Sequence, residues 1–469
     1  MPRALFAGLA CALVCCGNAF AAPWTKTDQK VTASDGVQLA TTLYEPATAA
    51  PVGGWPAIVM LHGIGGTRAS MNQIAEQVFA PAGYAVLTFD FRGHGESGGL
   101  FDVDGPREVQ DVQNLFAWLT ARPEIDRAHV GGWGISLGGG AVWESLKAGV
   151  PFAAAEVNET WVDLFDALAP GNLSKSGAIF QFLSSVAADR TAPDVNAIKP
   201  DALQSKNLGA LRTFAASRSV VDALPQIKTP MMIFQGRRDF AFGLEQGLTA
   251  YSKLGGPKRI YIGDFGHAPS TFPGPDAAAM FAEALKWFDE YLKGPAALAA
   301  TPVQVAPDPW RGAAQAFTSL PKLATAKTKT LTVRKTFGWA GKTVLTFPAP
   351  SKGALETFGA PVVTVTASTK THAPQLVAVL EAVAGGKSTI VSEGGVKLPS
   401  RKSFTTSFAL ISDATFIPRG AKLRLTLSWT STAQNSANLL YLTGVPVGSS
   451  LTVRKVYVTL PVLARPVSQ

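Results

Sequence analysis

Gly134-Ile135-Ser136-Leu137-Gly138 lies between an apolar strand-like run, Ala128-His129-Val130-Gly131-Gly132-Trp133, and a helix-like run from Gly139 to Ala148. Strand, Gly-x-Ser-x-Gly turn and helix in succession form the context of a nucleophile elbow. There the serine sits on a sharp turn with its hydroxyl exposed above a sheet. The turn tolerates little bulk two residues either side of the serine, and Gly134 and Gly138 meet that need. Five residues match by chance in a glycine-rich chain; the flanking strand and helix give this match its weight.

Outward from the elbow, apolar runs at Ala57–Leu61, Ala85–Phe89, His129–Trp133, Phe152–Val157, Met231–Phe234 and Arg259–Ile262 read as buried parallel strands. Lys30 to Ala33 and Val37 to Tyr44 read as a hairpin turned at Asp35-Gly36. Helices fit between the strands. Arg107 to Thr120 places Val109, Val112, Leu115, Phe116 and Leu119 on one face, with Pro106 suited to its first turn; Asp276 to Leu292 repeats the pattern. This alternation predicts a doubly wound α/β sheet with its site at the carboxyl ends of the strands. Residues 159–226 break the rhythm with helix-like pieces at Trp161–Leu168, Ala178–Ala187 and Leu203–Ala216, and are expected to form a small helical cap over that site.

A serine hydroxyl needs a base, and the base needs an orienting carboxylate. The chain has five histidines. His62 and His94 lie in glycine-rich turns after early strands, His129 starts the elbow strand, and His372 lies far downstream. His267, directly after the last predicted strand, is the expected base. On this fold the acid falls between serine and histidine in sequence. Asp239, after the Met231–Phe234 strand, is the expected acid, and Asp264 is its rival. A developing oxyanion needs fixed donors. The N–H groups of Leu137, after the nucleophile, and of Ile64, in Leu61-His62-Gly63-Ile64-Gly65-Gly66, are the candidates.

The 469 residues exceed one typical domain. Residues 1–21 read as an export signal, with Arg3, an apolar run and the small-x-small site Ala19-Phe20-Ala21. Cys11, Cys15 and Cys16, the only cysteines, fall within it. The expectation is a secreted or periplasmic protein without disulfides or thiolate chemistry. Residues 1–300 carry net charge −5 and residues 301–469 net +14. That split places a boundary near 300, with 301–326, rich in Pro, Ala and Thr, as linker. Beyond it short strand-like runs recur from Thr330 to Thr459, the sign of an all-β sandwich or jelly roll over 327–469. Its basic surface is a candidate contact for anionic surfaces, or simply a lysine-rich solvent face. No metal-ligand spacing or phosphate loop appears, so no cofactor, metal or nucleic-acid partner is expected. No later apolar run is long enough to span a membrane.

The chain resembles α/β-hydrolases of the X-prolyl dipeptidyl-peptidase and cocaine-esterase-like (CocE/NonD) group. The resemblance rests on Asp35-Gly36-Val37-Gln38-Leu39-Ala40, Tyr44-Glu45-Pro46, Arg92-Gly93-His94-Gly95-Glu96-Ser97-Gly98-Gly99, the elbow, Ile227-Lys228-Thr229-Pro230 and Gly266-His267. In the second half it rests on Phe358-Gly359-Ala360-Pro361-Val362 and Ile417-Pro418-Arg419-Gly420-Ala421-Lys422-Leu423-Arg424-Leu425. It implies an α/β-hydrolase sheet with a cap, followed by a jelly-roll domain, and hydrolysis of an ester or amide through an acyl-enzyme. Leu137 stands where many members carry tyrosine, and His62-Gly63-Ile64 resembles the version of the oxyanion loop that uses backbone donors. Amine-recognising members use acidic residues near the site. Glu159 and Asp163, beside Trp161 at the start of the cap, are candidates for substrate binding, or else form a helix N-terminal acidic turn. The reading is an exported serine hydrolase acting on a small ester or short peptide. The alternatives are an X-Pro dipeptidyl aminopeptidase and, from another class, a protein that binds anionic polymers through its basic β domain.

Overall fold

The apolar runs between residues 57 and 262 form the centre of one sheet. The computed structural model describes residues 23–294, 298–371, 373–432 and 439–468. The expected export signal, the three cysteines and His372 lie outside the described residues. The sheet has ten strands: β1 (Trp24–Thr32), β2 (Gln38–Pro46), β3 (Trp55–Leu61), β4 (Ala85–Phe89), β5 (Ile125–Ile135), β6 (Ala154–Asn158), β7 (Met231–Gly236), β8 (Lys258–Gly263), β9 (Val303–Val305) and β10 (Gln315–Phe317). Their order is β1-β2-β4-β3-β5-β6-β7-β8-β9-β10. Strands β4, β3 and β5 through β9 run parallel. The β1–β2 hairpin and β10 are antiparallel at the two edges. Strands β4, β6 and β7 are buried along their whole length, as a sheet covered on both faces requires.

Helices α1 (Arg68–Ile74, continued by a π-helical turn), α2 (Pro106–Thr120) and α3 (Leu137–Lys147) connect the early strands. Pro106 opens α2, and the Glu108 carboxylate accepts from Asp102 and Gly105 N–H at 2.9 and 3.1 Å, satisfying donors that the helix start leaves free. The cap lies between β6 and β7 and holds α4 (Leu164–Leu168), α5 (Ser176–Leu183), α6 (Pro193–Gln204) and α7 (Leu208–Ala216). Helices α8 (Leu244–Lys253) and α9 (Ala277–Leu292) complete the layers.

Two local expectations need correcting. The helix read over Leu203–Ala216 is two helices, α6 and α7, broken where Ser205 and Asn207 take left-handed backbone at φ 52° and 43°. Pro193 and Pro200 hid α6 from a pattern reading, although a proline in the first turn is compatible with a helix. Residues 301–326 are not simply linker. Val303 and Val305 are buried, and their strand extends the sheet beside β8. The flanking Pro302 and Pro307 shorten it below the length at which alternation becomes visible.

The chain continues into a two-sheet β module. One sheet joins β11 (Leu323–Lys327), β12 (Leu331–Gly338), β15 (Val362–Ser368), β18 (Ser403–Ala409) and β21 (Ser450–Leu463). The other joins β13 (Thr343–Phe347), β16 (Gln375–Ala384), β17 (Lys387–Lys397) and β20 (Lys422–Ser428). A two-stranded ribbon pairs β14 (Leu355–Glu356) with β19 (Phe416–Ile417). Phe347, Val365, Leu380, Leu425 and Val456 share the core between the sheets. The α/β-hydrolase sheet with an all-β sandwich after it is therefore the architecture of the chain.

A buried ion pair joins the two parts. Arg237, in the loop after β7, pairs with Glu356 of β14, and both side chains are fully buried. The guanidinium also donates to Ala414 O and Ala306 O at 2.8 and 2.5 Å. Glu356 accepts in turn from Val467 N–H at 2.6 Å and from Ser468 N–H at 2.9 Å, so the C-terminal segment clips onto the same carboxylate. Removing one partner strands a charge away from water. Glu356→Ala should cost about 3–5 kcal/mol, read as a lowered midpoint in urea unfolding.

Glu156 in β6 is also fully buried, and burial pushes its carboxyl up to about 8. In the unfolded chain the group titrates at about 4.3. Because the folded state holds the proton more tightly, stability is fully present below the unfolded value and is lost as pH rises towards about 8. Glu156→Gln should therefore be increasingly more stable than the parent across that window, with the difference levelling off above it in unfolding measurements run as a pH series.

Candidate active site

Ser136 sits between β5 and α3 with φ 54° and ψ −117°, a backbone conformation that non-glycine residues rarely adopt. The turn is crowded. A Cβ on Gly134 would lie 2.1 Å from Gly138 O, and a Cβ on Gly138 would lie 2.0 Å from Leu61 O. Only glycine lets the elbow close against the end of β3. The end of β6 and the residues after it brace it from the other side: Ser136 N–H donates to Asn158 O at 2.8 Å, and Thr160 Oγ1 donates to Ser136 O at 2.8 Å.

Three loops at the carboxyl ends of β5, β7 and β8 bring together the serine, acid and histidine anticipated from sequence. Ser136 Oγ lies 3.0 Å from His267 Nε2, and His267 Nδ1 lies 2.7 Å from Asp239 Oδ2. The network assigns the proton to Nδ1 and leaves Nε2 to accept from the serine. Asp239 is fully buried, and its Oδ1 accepts from Ala241 and Phe242 N–H at 2.9 Å each. Its Oδ2 also accepts from His267 N–H at 3.2 Å. The rings of Phe182 and Phe242 stand edge-on to the imidazole at 5.6 and 5.1 Å. The rival acid Asp264 instead faces Arg238 and Ser270.

Leu137 is the first residue of α3, so its N–H belongs to the unsatisfied helix start. Ile64 follows Gly63, whose Cβ position is 3.5 Å from that of Ser136. Ile64 and Leu137 line one cleft with Ser136, and neither N–H has a protein acceptor among the described residues. His62 holds this loop. Its Nδ1–H donates to Gly63 O at 2.7 Å and its Nε2 accepts from Phe91 N–H at 3.1 Å. Burial pushes its pKa down to about 3, so the ring is neutral and structural. His94 packs against it and is likewise held down, at about 4, by burial. His129 pairs with Asp126, distant from the site.

The cleft between the elbow and the cap holds a cavity of about 90 Å³. Trp161, Phe165, Ile179, Phe182, Leu211 and Phe242 are among its walls, and every lining residue except Ser136 is apolar. Of the three residues anticipated for substrate binding, Trp161 lines the cleft, with its indole N–H donating to Arg218 O at 2.8 Å. Asp163 does not. It caps α4 by accepting from Asp166 N–H at 2.9 Å, the alternative role an acidic helix start allows. Glu159 does not line the cleft either; it is buried against Asp239 and His267. One carboxylate oxygen each of Glu159 and Asp239 and one His267 nitrogen lie within 4.8 Å of one another, a spacing compatible with metal ligation. Both nitrogens of His267 are already engaged by Ser136 and Asp239, which leaves no lone pair directed to an ion.

Sequence reasoning missed Lys175. This fully buried lysine at the start of α5 donates from Nζ to Phe240 O and Ala241 O, each at 2.9 Å, and so pins the loop that follows Asp239. A lone lysine in a cap of unknown packing gave no signal of this. Gly138→Ala, which drives a Cβ into the Leu61 carbonyl, should cost about 1–3 kcal/mol and reduce turnover more than its loss of folded protein accounts for, as measured by thermal unfolding beside an ester assay.

The chain is similar to a CocE/NonD family hydrolase from Staphylococcus aureus, with 13% identity, a TM-score of 0.73 and 94% of each chain covered. An α-amino acid ester hydrolase matches with 16% identity and a TM-score of 0.71, over 97% of this chain and all of that one. An aminopeptidase from a marine sediment archaeon, Thaumarchaeota archaeon, matches with 14% identity and a TM-score of 0.70, over 94% of this chain and 97% of that one. At these identities the likeness is one of fold, and it runs through both parts of the chain. Among curated proteins, the quorum-quenching protein AidA of Acinetobacter baumannii is 36% identical over 113 residues, 23% of this chain and 36% of that protein. The matching stretch spans about a third of the length of the first such relatives. The sequence profile of the X-Pro dipeptidyl-peptidase (S15) family matches residues 35–269, half of the chain. The chain therefore belongs to the X-Pro dipeptidyl-peptidase (S15) family, and it shares its fold with CocE/NonD hydrolases.

Proposed function

We propose that the protein is an exported esterase that hydrolyses small esters with uncharged, apolar acyl groups through an acyl-enzyme at Ser136. The observation that carries this reading is the wall of the cleft, which holds no carboxylate. A dipeptidyl aminopeptidase must hold a free ammonium in a site shielded from water, and an ammonium there needs an anionic partner. Here Asp163 caps a helix and Glu159 lies behind the triad, so neither meets a substrate in the cleft.

In this mechanism Ser136 Oγ attacks the ester carbonyl while His267 Nε2 takes its proton, and Asp239 holds the imidazolium. The Ile64 and Leu137 N–H groups receive the charge that develops on the carbonyl oxygen. Collapse expels the alcohol, which takes the proton from His267. Water then repeats the sequence on the acyl-enzyme, releasing the acid and restoring the serine. Export is supported by the positively charged start, apolar run and small-x-small site of residues 1–21.

A fluorophosphonate probe should label the protein at Ser136, and Ser136→Ala should abolish both labelling and p-nitrophenyl-ester turnover. Across a series of acyl lengths, kcat/KM should rise by up to about fourfold for each methylene the cleft buries and then level off. Turnover of a free X-Pro anilide faster than that of a mid-length acyl ester would overturn the esterase reading.

A further inference from the structure

Glu159 has no role in the mechanism above, yet the fold goes to some length to place it. It follows β6 directly, between Asn158, whose carbonyl accepts from Ser136, and Thr160, whose hydroxyl donates to Ser136 O. Its backbone is left-handed at φ 51°, a region that disfavours a residue with a Cβ, and its own N–H is anchored on Phe234 O at 3.0 Å. This twist carries the carboxyl away from the cleft and towards the triad. The side chain is buried, and Oε1 has no hydrogen-bond partner there. The charged and titratable groups that face it are Asp239 after β7, His267 after β8 and Asp276 at the start of α9. Lys175 approaches from the cap on the far side of the Asp239 loop.

We propose that Glu159 is a reserve acid for the triad, a second carboxyl held within reach of His267 that orients the imidazole when Asp239 cannot. This rests on the assignment of Ser136, His267 and Asp239 as the triad. Two carboxyls so close to each other and to one imidazole are stable when one of them keeps its proton. Burial, and then the Asp239 and Asp276 carboxylates, hold Glu159 well above the ordinary carboxylate range, so it is the neutral member of the pair. Without the Asp239 charge, one cause of that upward push is gone. The Glu159 carboxyl then releases its proton to solvent and accepts from His267. No bond to substrate is made or broken, so Glu159 acts through the histidine and is a positioning residue.

The test is a double-mutant cycle on p-nitrophenyl-ester hydrolysis, in the full chain with parent, Glu159→Gln, Asp239→Ala and the double variant. A reserve acid predicts that Glu159→Gln lowers kcat at least about tenfold more in the Asp239→Ala background than in the parent. The gap should widen with rising pH, because only the ionised carboxyl holds an imidazolium. A purely structural glutamate predicts the same factor in both backgrounds at every pH, and that result would overturn the proposal. Asp239→Ser supplies the same comparison should Asp239→Ala yield too little folded protein. Ser136→Ala separates the two levels: turnover surviving in that variant defeats the triad assignment itself, whereas equal Glu159→Gln factors with Ser136→Ala inactive defeat only the reserve role.

Discussion

The strained turn at Ser136 is the constraint around which the rest of the site is arranged. A residue at φ 54° and ψ −117° costs on the order of 1–3 kcal/mol and persists only if its surroundings over-determine it. They do so from three directions. The end of β3 presses its Leu61 carbonyl against Gly138, the start of α3 folds back on Gly134, and Asn158 and Thr160 grip the serine backbone. The same strain lifts Oγ off the sheet towards His267. Packing energy collected across the sheet core thus appears at one hydroxyl as fixed direction.

The other half of the site is set from behind. Asp239 lies two residues after Arg237, which is locked onto Glu356 and the C-terminal segment, and just before the carbonyls that Lys175 holds. The β module and the cap therefore meet on the loop that carries the acid. Burying these charges is unfavourable unless each finds partners, and each does: Arg237 has backbone carbonyls besides Glu356, and Lys175 has two. The consequence is a stiff acid loop in which Ala241 and Phe242 N–H groups reach the same oxygen of Asp239. The β module is joined to the acid loop through Glu356.

Much of this was legible before any coordinates, because parallel strands buried on both faces write themselves as apolar runs. Those runs place Ser136, Asp239 and His267 at strand ends by inspection. What escaped reading has physical causes. β17 shows no clear alternation, because Gly394 and Gly395 stand where Leu410 and Tyr441 press close and the strand lacks side chains there. Helix α6 was hidden by its two prolines, and β9 by its length. Glu159 and Asp163 looked equivalent as acids four residues apart at the start of the cap. Their separation arises from the left-handed backbone at Glu159, and no local pattern announces a positive φ at a glutamate.

That separation decides the chemistry of the pocket. An acid aimed into the cleft would put a charge on its wall, whereas the same acid turned behind Asp239 and His267 leaves the walls apolar. It also sets up an asymmetry between neighbouring carboxyls. Asp239 collects three backbone N–H donors and the imidazole N–H, while the Oε1 of Glu159 has none. Hydrogen-bond donors favour the charged form of a carboxyl, and burial without them favours the neutral form. The proton therefore stays on Glu159, while Asp239 Oδ2 faces His267 Nδ1, in line with the serine relay. One backbone dihedral at the end of β6 thus separates two neighbouring acids, leaving the cleft wall without a carboxylate and Asp239 alone against His267 Nδ1.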